Sequence, residues 1–105
     1  MKKVKAVKID AENGKVSDVI IEKSVDSFQK EIGCERFDMV SYDTYNDIVL
    51  DDNGLNTNKP LLMLFGKMNL IRGNVLIVGV DNSTGGTIDT TLNANYVRNQ
   101  VMFIG

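Results

Sequence analysis

Histidine is absent from this 105-residue chain, and there is one cysteine and one proline. Without imidazole the usual zinc ligands are missing, and so is the general base of the His-dependent serine and cysteine triads. A single thiol, Cys34, cannot close an intrachain disulfide, so a reducing compartment, the cytoplasm, is the natural setting. Arg36 lies close enough in sequence to lower the pKa of Cys34. With no imidazole partner, though, the thiol reads as an inert group beside a helix end. Long apolar runs are lacking too. The longest, Pro60 to Phe65, is far short of the roughly 20 residues that span a bilayer, so no membrane association is expected. The basic start, Met1 to Lys8, is followed by no apolar h-region and reads as a strand rather than a leader. No linker, repeat or low-complexity segment divides the chain, and residues 1–105 read as one domain.

The formal net charge is −2, from 12 basic and 14 acidic residues, with a pI near 5.0, and this excludes bulk attraction to a nucleic-acid polymer. Charge is nevertheless segregated. Lys2, Lys3, Lys5 and Lys8 cluster at the start, and Asp38, Asp43, Asp47, Asp51 and Asp52 cluster in the middle. Either these form two oppositely charged faces, or they are the solvated surface of hairpins.

Alternation over Val4–Ile9, the turn residues Asp10–Gly14 and the run Val16–Glu22 predict a first hairpin. Ser24 is placed to cap a helix that carries Val25, Phe28 and Ile32 and stops at Gly33. Arg36–Tyr42 and Asp47–Asp51, around Asp43-Thr44-Tyr45-Asn46, predict a second hairpin. Asn58 and Pro60 predict the start of a short buried helix running through Phe65, and residues 66–73 a loop. The β-branched run Asn74–Val80 predicts a central strand. After the polar loop Asp81–Thr87, either Asp89 or Thr90 is placed to cap a helix that turns Leu92, Tyr96 and Val97 toward the core. The apolar end Val101–Ile104 is either a homo-oligomer interface or a last strand of its own domain. The expected fold class is α+β, a mostly antiparallel sheet of about five strands with two or three short helices, its strand order open.

No pattern signals a cofactor or metal. Setting Gly54 at the glycine position of a calcium loop puts Val49 first and Pro60 last, neither of them a ligand. The glycine-rich stretch Gly79–Gly86 lacks the Lys-Ser/Thr pair of a P-loop and does not match the dinucleotide fingerprint. The stretch does combine a preceding strand, a following helix, hydroxyls and two adjacent glycines. That set either cradles an anion on backbone amides or is a plain connection.

The opening Val4-Lys5-Ala6-Val7, the segment Val25–Gly33, Asp51–Asn58 and the strand Ile71–Gly79, with the acidic loop and terminal helix after it, together resemble a family of short phage- and plasmid-borne proteins described as a domain of unknown function. Gly33-Cys34 departs from that family's paired glycines. The resemblance implies a small accessory protein of a mobile element in a bacterial cytoplasm, acting by binding rather than catalysis. One expectation is a module that sequesters a small anionic, nucleotide-derived ligand. Its contacts would be Ser83, Thr84, Gly85, Gly86 and Thr87, with Lys67 and Arg72 supplying positive charge. The other is a module that inhibits a host protein, engaging a basic surface through an acidic hairpin centred on Asp43, Asp47, Asp51 and Asp52.

Overall fold

A computed structural model describes residues 2–53, 57–65 and 69–105. Eight consecutive alternating residues make β1 (Lys3–Asp10), and the Asp10 carboxylate turns the chain by accepting the amides of Glu12 and Asn13. The returning strand, β2 (Lys15–Glu22), pairs with β1 along its whole length. Ser24 then caps α1 (Val25–Ile32) by accepting the Ser27 amide at 3.1 Å, and Gly33, at φ 74°, ends it as a left-handed cap. The second hairpin is β3 (Phe37–Asp43) and β4 (Asn46–Asp51).

The run 75–80 is β7 (Val75–Val80), and the reason it is continuously apolar is that both of its faces are covered. Val75 and Ile77 join one core with Val7, Ile9, Tyr42 and Ile48. Leu76 and Val78 join a second core with Val4, Ala6, Ile21 and Val49, under Phe28 and Ile32 of α1. The strand order β2-β1-β7-β4-β3 puts β7 in the middle, and every pairing is antiparallel. The fold is therefore α+β, with a mostly antiparallel sheet and, among the described residues, two helices.

Some expectations change, and the alternative left open for the apolar end is decided. The apolar stretch after Pro60 is not a helix but β5 (Leu61–Leu64), and residues within the expected loop 66–73 form its partner β6 (Asn69–Arg72). A short apolar run suits a helix or a strand equally by pattern. Here Leu62 and Leu64 are wholly buried while Leu61 and Met63 are half-buried, the period of a strand. The apolar end forms β9 (Val101–Phe103) on the other edge of β5, which completes a three-stranded sheet over the first core. Finally, neither Asp89 nor Thr90 caps the last helix, α2 (Ala94–Arg98). Its cap is Asn93, which accepts the Tyr96 amide at 2.9 Å. Val97 is buried as expected, and Leu92 packs on the core from ahead of the helix, but Tyr96 faces solvent.

Candidate functional site: a lysine-lined cleft where the central sheet divides

β1 pairs with β7 only over Val7–Ile9. Beyond that point the same edge of β7 is taken by a two-residue strand, β8 (Thr87–Ile88), opposite Val80 and Gly79, while β4 holds the other edge. The first half of β1 is thus parted from β7 by an inserted segment. The insertion needs Gly79, because a Cβ there would land on the carbonyl oxygen of Asp89.

Residues 87–92 are pinned on both sides. The Asp89 carboxylate accepts the Lys5 amide at 2.8 Å, and the Thr90 amide donates to the Lys5 carbonyl at 3.0 Å. Toward β4, the fully buried Asn46 accepts from the Thr90 hydroxyl at 2.6 Å and the Thr91 amide at 3.3 Å. Its own amide group donates to the Thr91 hydroxyl at 2.9 Å and to Asp43 at 3.0 Å. Every polar atom of the Asn46 side chain is engaged, as a buried amide requires. Asn46 reads in sequence as a turn residue, and only its burial reveals this role.

Between the first residues of β1 and the inserted segment lies a cleft of about 430 Å³, a size within the range of small-molecule sites. Lys2, Lys3 and Lys23 line it, with Val4, Thr87, Ile88 and Asp89. Lys23 is brought alongside Lys2 by a 2.9 Å bond from its amide to the Lys2 carbonyl. None of the three ammonium groups pairs with a carboxylate among the described residues; Glu22 stands opposite Lys3 in register without forming an ion pair. The one carboxylate in the lining, Asp89, is already held by the Lys5 amide. Lys8, from the same basic cluster, lies outside the cleft and pairs with Glu31 at 3.6 Å.

The loop 81–87 borders this cleft, but its amides are turned inward. Asp81 accepts the amide and hydroxyl of Ser83 at 2.9 and 2.7 Å, and its carbonyl accepts the amides of Thr84 and Gly85 at 3.2 and 2.6 Å. The Gly86 amide goes to the Thr84 hydroxyl at 3.1 Å. The place of an anion in the loop is taken by the Asp81 side chain. Its pKa is lowered chiefly by the Ser83 hydroxyl. Gly85 takes a left-handed φ of 75°; Gly86 does not. What joins the loop to the cleft is Lys23, whose Nζ lies 3.7 Å from where a Gly86 Cβ would be.

The structure does not bring Arg72 to this place. It precedes β7, whose six residues carry the chain about 20 Å to the loop. Its guanidinium donates to the Lys59 carbonyl at 3.1 Å within the neighbouring sheet. Lys67 lies outside the described residues.

Two of the four central carboxylates of the acidic hairpin are committed to structure. Asp43 accepts the Tyr45 amide and the Asn46 side chain. Asp51 is buried and bonds to Lys59 at 2.8 Å, and the same ammonium reaches the Gly33 carbonyl at 3.0 Å. Beside this pair burial pushes the Cys34 thiol up, with Asp51 adding to the effect and Lys59 opposing it, so the thiol is protonated at neutral pH. Among the described residues no three His, Cys, Asp or Glu side chains gather as a metal site, and no helix is long and apolar enough to cross a membrane.

The family DUF3846, a domain of unknown function, matches residues 3–101. The chain belongs to this family. The match spans the six-stranded sheet, both helices, β5 and β6 and ends at the first residue of β9, so the divided sheet lies within the DUF3846 domain itself. No curated protein and no solved structure matches the chain.

Proposed function

We propose that this DUF3846 protein is a non-enzymatic binder of a small anionic, nucleotide-derived ligand, held in the cleft between the start of β1 and the inserted β8. The observation that carries the reading is the set of three lysines without carboxylate partners around one cleft, in a chain whose net charge is −2. Three like charges that share one carboxylate, Asp89, leave the cleft net positive, and an anion placed among them relieves their repulsion. Sequestering such a ligand to counter host defence, as an accessory protein of a phage or other mobile element in a bacterial cytoplasm, is the biological role proposed.

Of the loop residues Thr87 lines the cleft, and Gly86 stands beside Lys23. The charge of the cleft comes from Lys2, Lys3 and Lys23 rather than from Arg72. Calorimetry of the full chain against a panel of linear and cyclic nucleotides tests the reading. A binder is expected, with affinity falling at least about tenfold in Lys3→Gln/Lys23→Gln while the circular dichroism spectrum is unchanged, since both side chains are exposed. If no nucleotide bound, the reading would fail, and inhibition of a host protein through the Asp47 and Asp52 surface would take its place.

A further inference from the structure

We infer that the cleft recognises the phosphate chain of its ligand and does not read a nucleobase; this rests on the anion-binding reading above. Reading a base takes an aromatic or guanidinium plane to stack on it, or fixed donor and acceptor pairs at its edge. The lining offers neither. Among the described residues no aromatic ring and no arginine lines the cleft. Side-chain groups able to meet a base edge are few in the lining: the Thr87 hydroxyl, and the carboxylate of Asp89, one oxygen of which already accepts the Lys5 amide.

What remains is three ammonium groups on flexible stems. An ammonium is a compact point charge with donors that rotate freely, which suits phosphate oxygens in many orientations and discriminates poorly between planar groups. Lys5 stands two residues from Lys3 on the same face of β1 and extends the positive charge along the strand. A chain of charged phosphates can meet several of these groups at once. A monophosphate carries less charge to share among them.

The test is isothermal titration of the full-length chain, at one fixed salt concentration near about 0.15 M, with adenosine, AMP, ATP, the other three nucleoside triphosphates and inorganic tripolyphosphate. Tripolyphosphate is expected within about tenfold of ATP, the four triphosphates within about tenfold of one another, AMP more than about tenfold weaker, and adenosine silent. Lys3→Gln/Lys23→Gln should weaken ATP and tripolyphosphate alike. If ATP bound more than about tenfold tighter than tripolyphosphate, or one base were preferred by that factor, a base would be read and the inference overturned, while the anionic-ligand reading would stand. If no polyanion bound, both would fall. Tighter binding of a single-stranded oligonucleotide than of tripolyphosphate would overturn both as well, because the ligand would then be a polymer.

Discussion

At the scale of single residues, the structure turns on a few polar side chains placed where no water reaches them. Asn46 is wholly buried and ties β4 to the segment that divides the sheet. Replacing it by alanine would remove its bonds to the half-buried Thr90 hydroxyl and Asp43 and to the exposed Thr91, and a polar group left unpaired away from water costs roughly 1–3 kcal/mol. Asn46→Ala is therefore expected to lower stability by about 2–4 kcal/mol, measured as a shift in the denaturant midpoint without a change in slope. Because residues 87–92 lose their anchor on one side, the same variant should also weaken ligand binding at the cleft. Asn46→Ala with full stability would show the network to be dispensable. Gly79 is the companion position: any side chain there meets the Asp89 carbonyl, so Gly79→Ala must displace the inserted segment or shift β7.

At the scale of elements, β9 decides whether the small sheet exists as such. It is the second neighbour of β5, and the Ile104 and Gly105 amides both donate to the Leu61 carbonyl, at 2.8 and 3.1 Å. This is the self-docked alternative for the apolar terminus, and with β9 in place the apolar Met102 and Ile104 still remain about half exposed. Removing residues 101–105 would open one edge of β5 and uncover part of the first core, where Val101 and Phe103 pack. The truncated chain is expected to lose about 2–4 kcal/mol, a fall in melting temperature of roughly 10–20 °C. An unchanged melting temperature would mean that β9 contributes little to the fold and is free for contacts with other molecules. α1 needs no such support from the chain end. Its Ser24 and Gly33 caps and the edge-to-face contact of Phe28 with Phe37, ring centroids 5.6 Å apart, come from adjoining sequence.

At the scale of the whole molecule, the pH dependence of stability sums carboxylates pushed in opposite directions. Asp10 sits below the ordinary value of 3.8, chiefly because the Asn13 side chain donates to it, and Asp81 is lowered by Ser83. In each case the folded protein binds its proton less readily than the unfolded chain. Their stabilisation is therefore present above the unfolded pKa and is lost as pH falls through the lowered folded value, below 3.8. Asp47 is raised by burial, so its cost to the folded state is relieved as the medium becomes acid. Acid unfolding monitored by circular dichroism should thus become shallower at its low-pH end in Asp10→Asn, whereas Asp47→Asn should remove a term of the opposite sign. An identical acid limb in Asp10→Asn and the parent would contradict the assignment.

Much of this molecule is written locally. The alternation of β1 and β2, the caps of α1, the turn around Thr44 and the doubly apolar β7 follow from neighbours in sequence, because periodicity and capping depend on residues a few positions apart. So does the absence of imidazole and of a disulfide. The remainder depends on long-range pairing. Leu61–Leu64 is a strand only because β6 and β9 flank it, and a four-residue apolar run carries too little period to choose by itself. Asp89 and Thr90 are good caps by composition, yet their side chains are drawn to the Lys5 amide and to Asn46, residues 84 and 44 positions away, so the helix starts later, at Asn93. The candidate site divides the same way. Its lysine cluster is visible in the first eight residues, but Lys23 joins Lys2 and Lys3 only through strand pairing, and Arg72 leaves the site because a full strand lies between it and the loop. Composition settles which chemical groups the chain can offer; the packing of distant strands, through hydrogen bonds that no local pattern encodes, decides which of them meet.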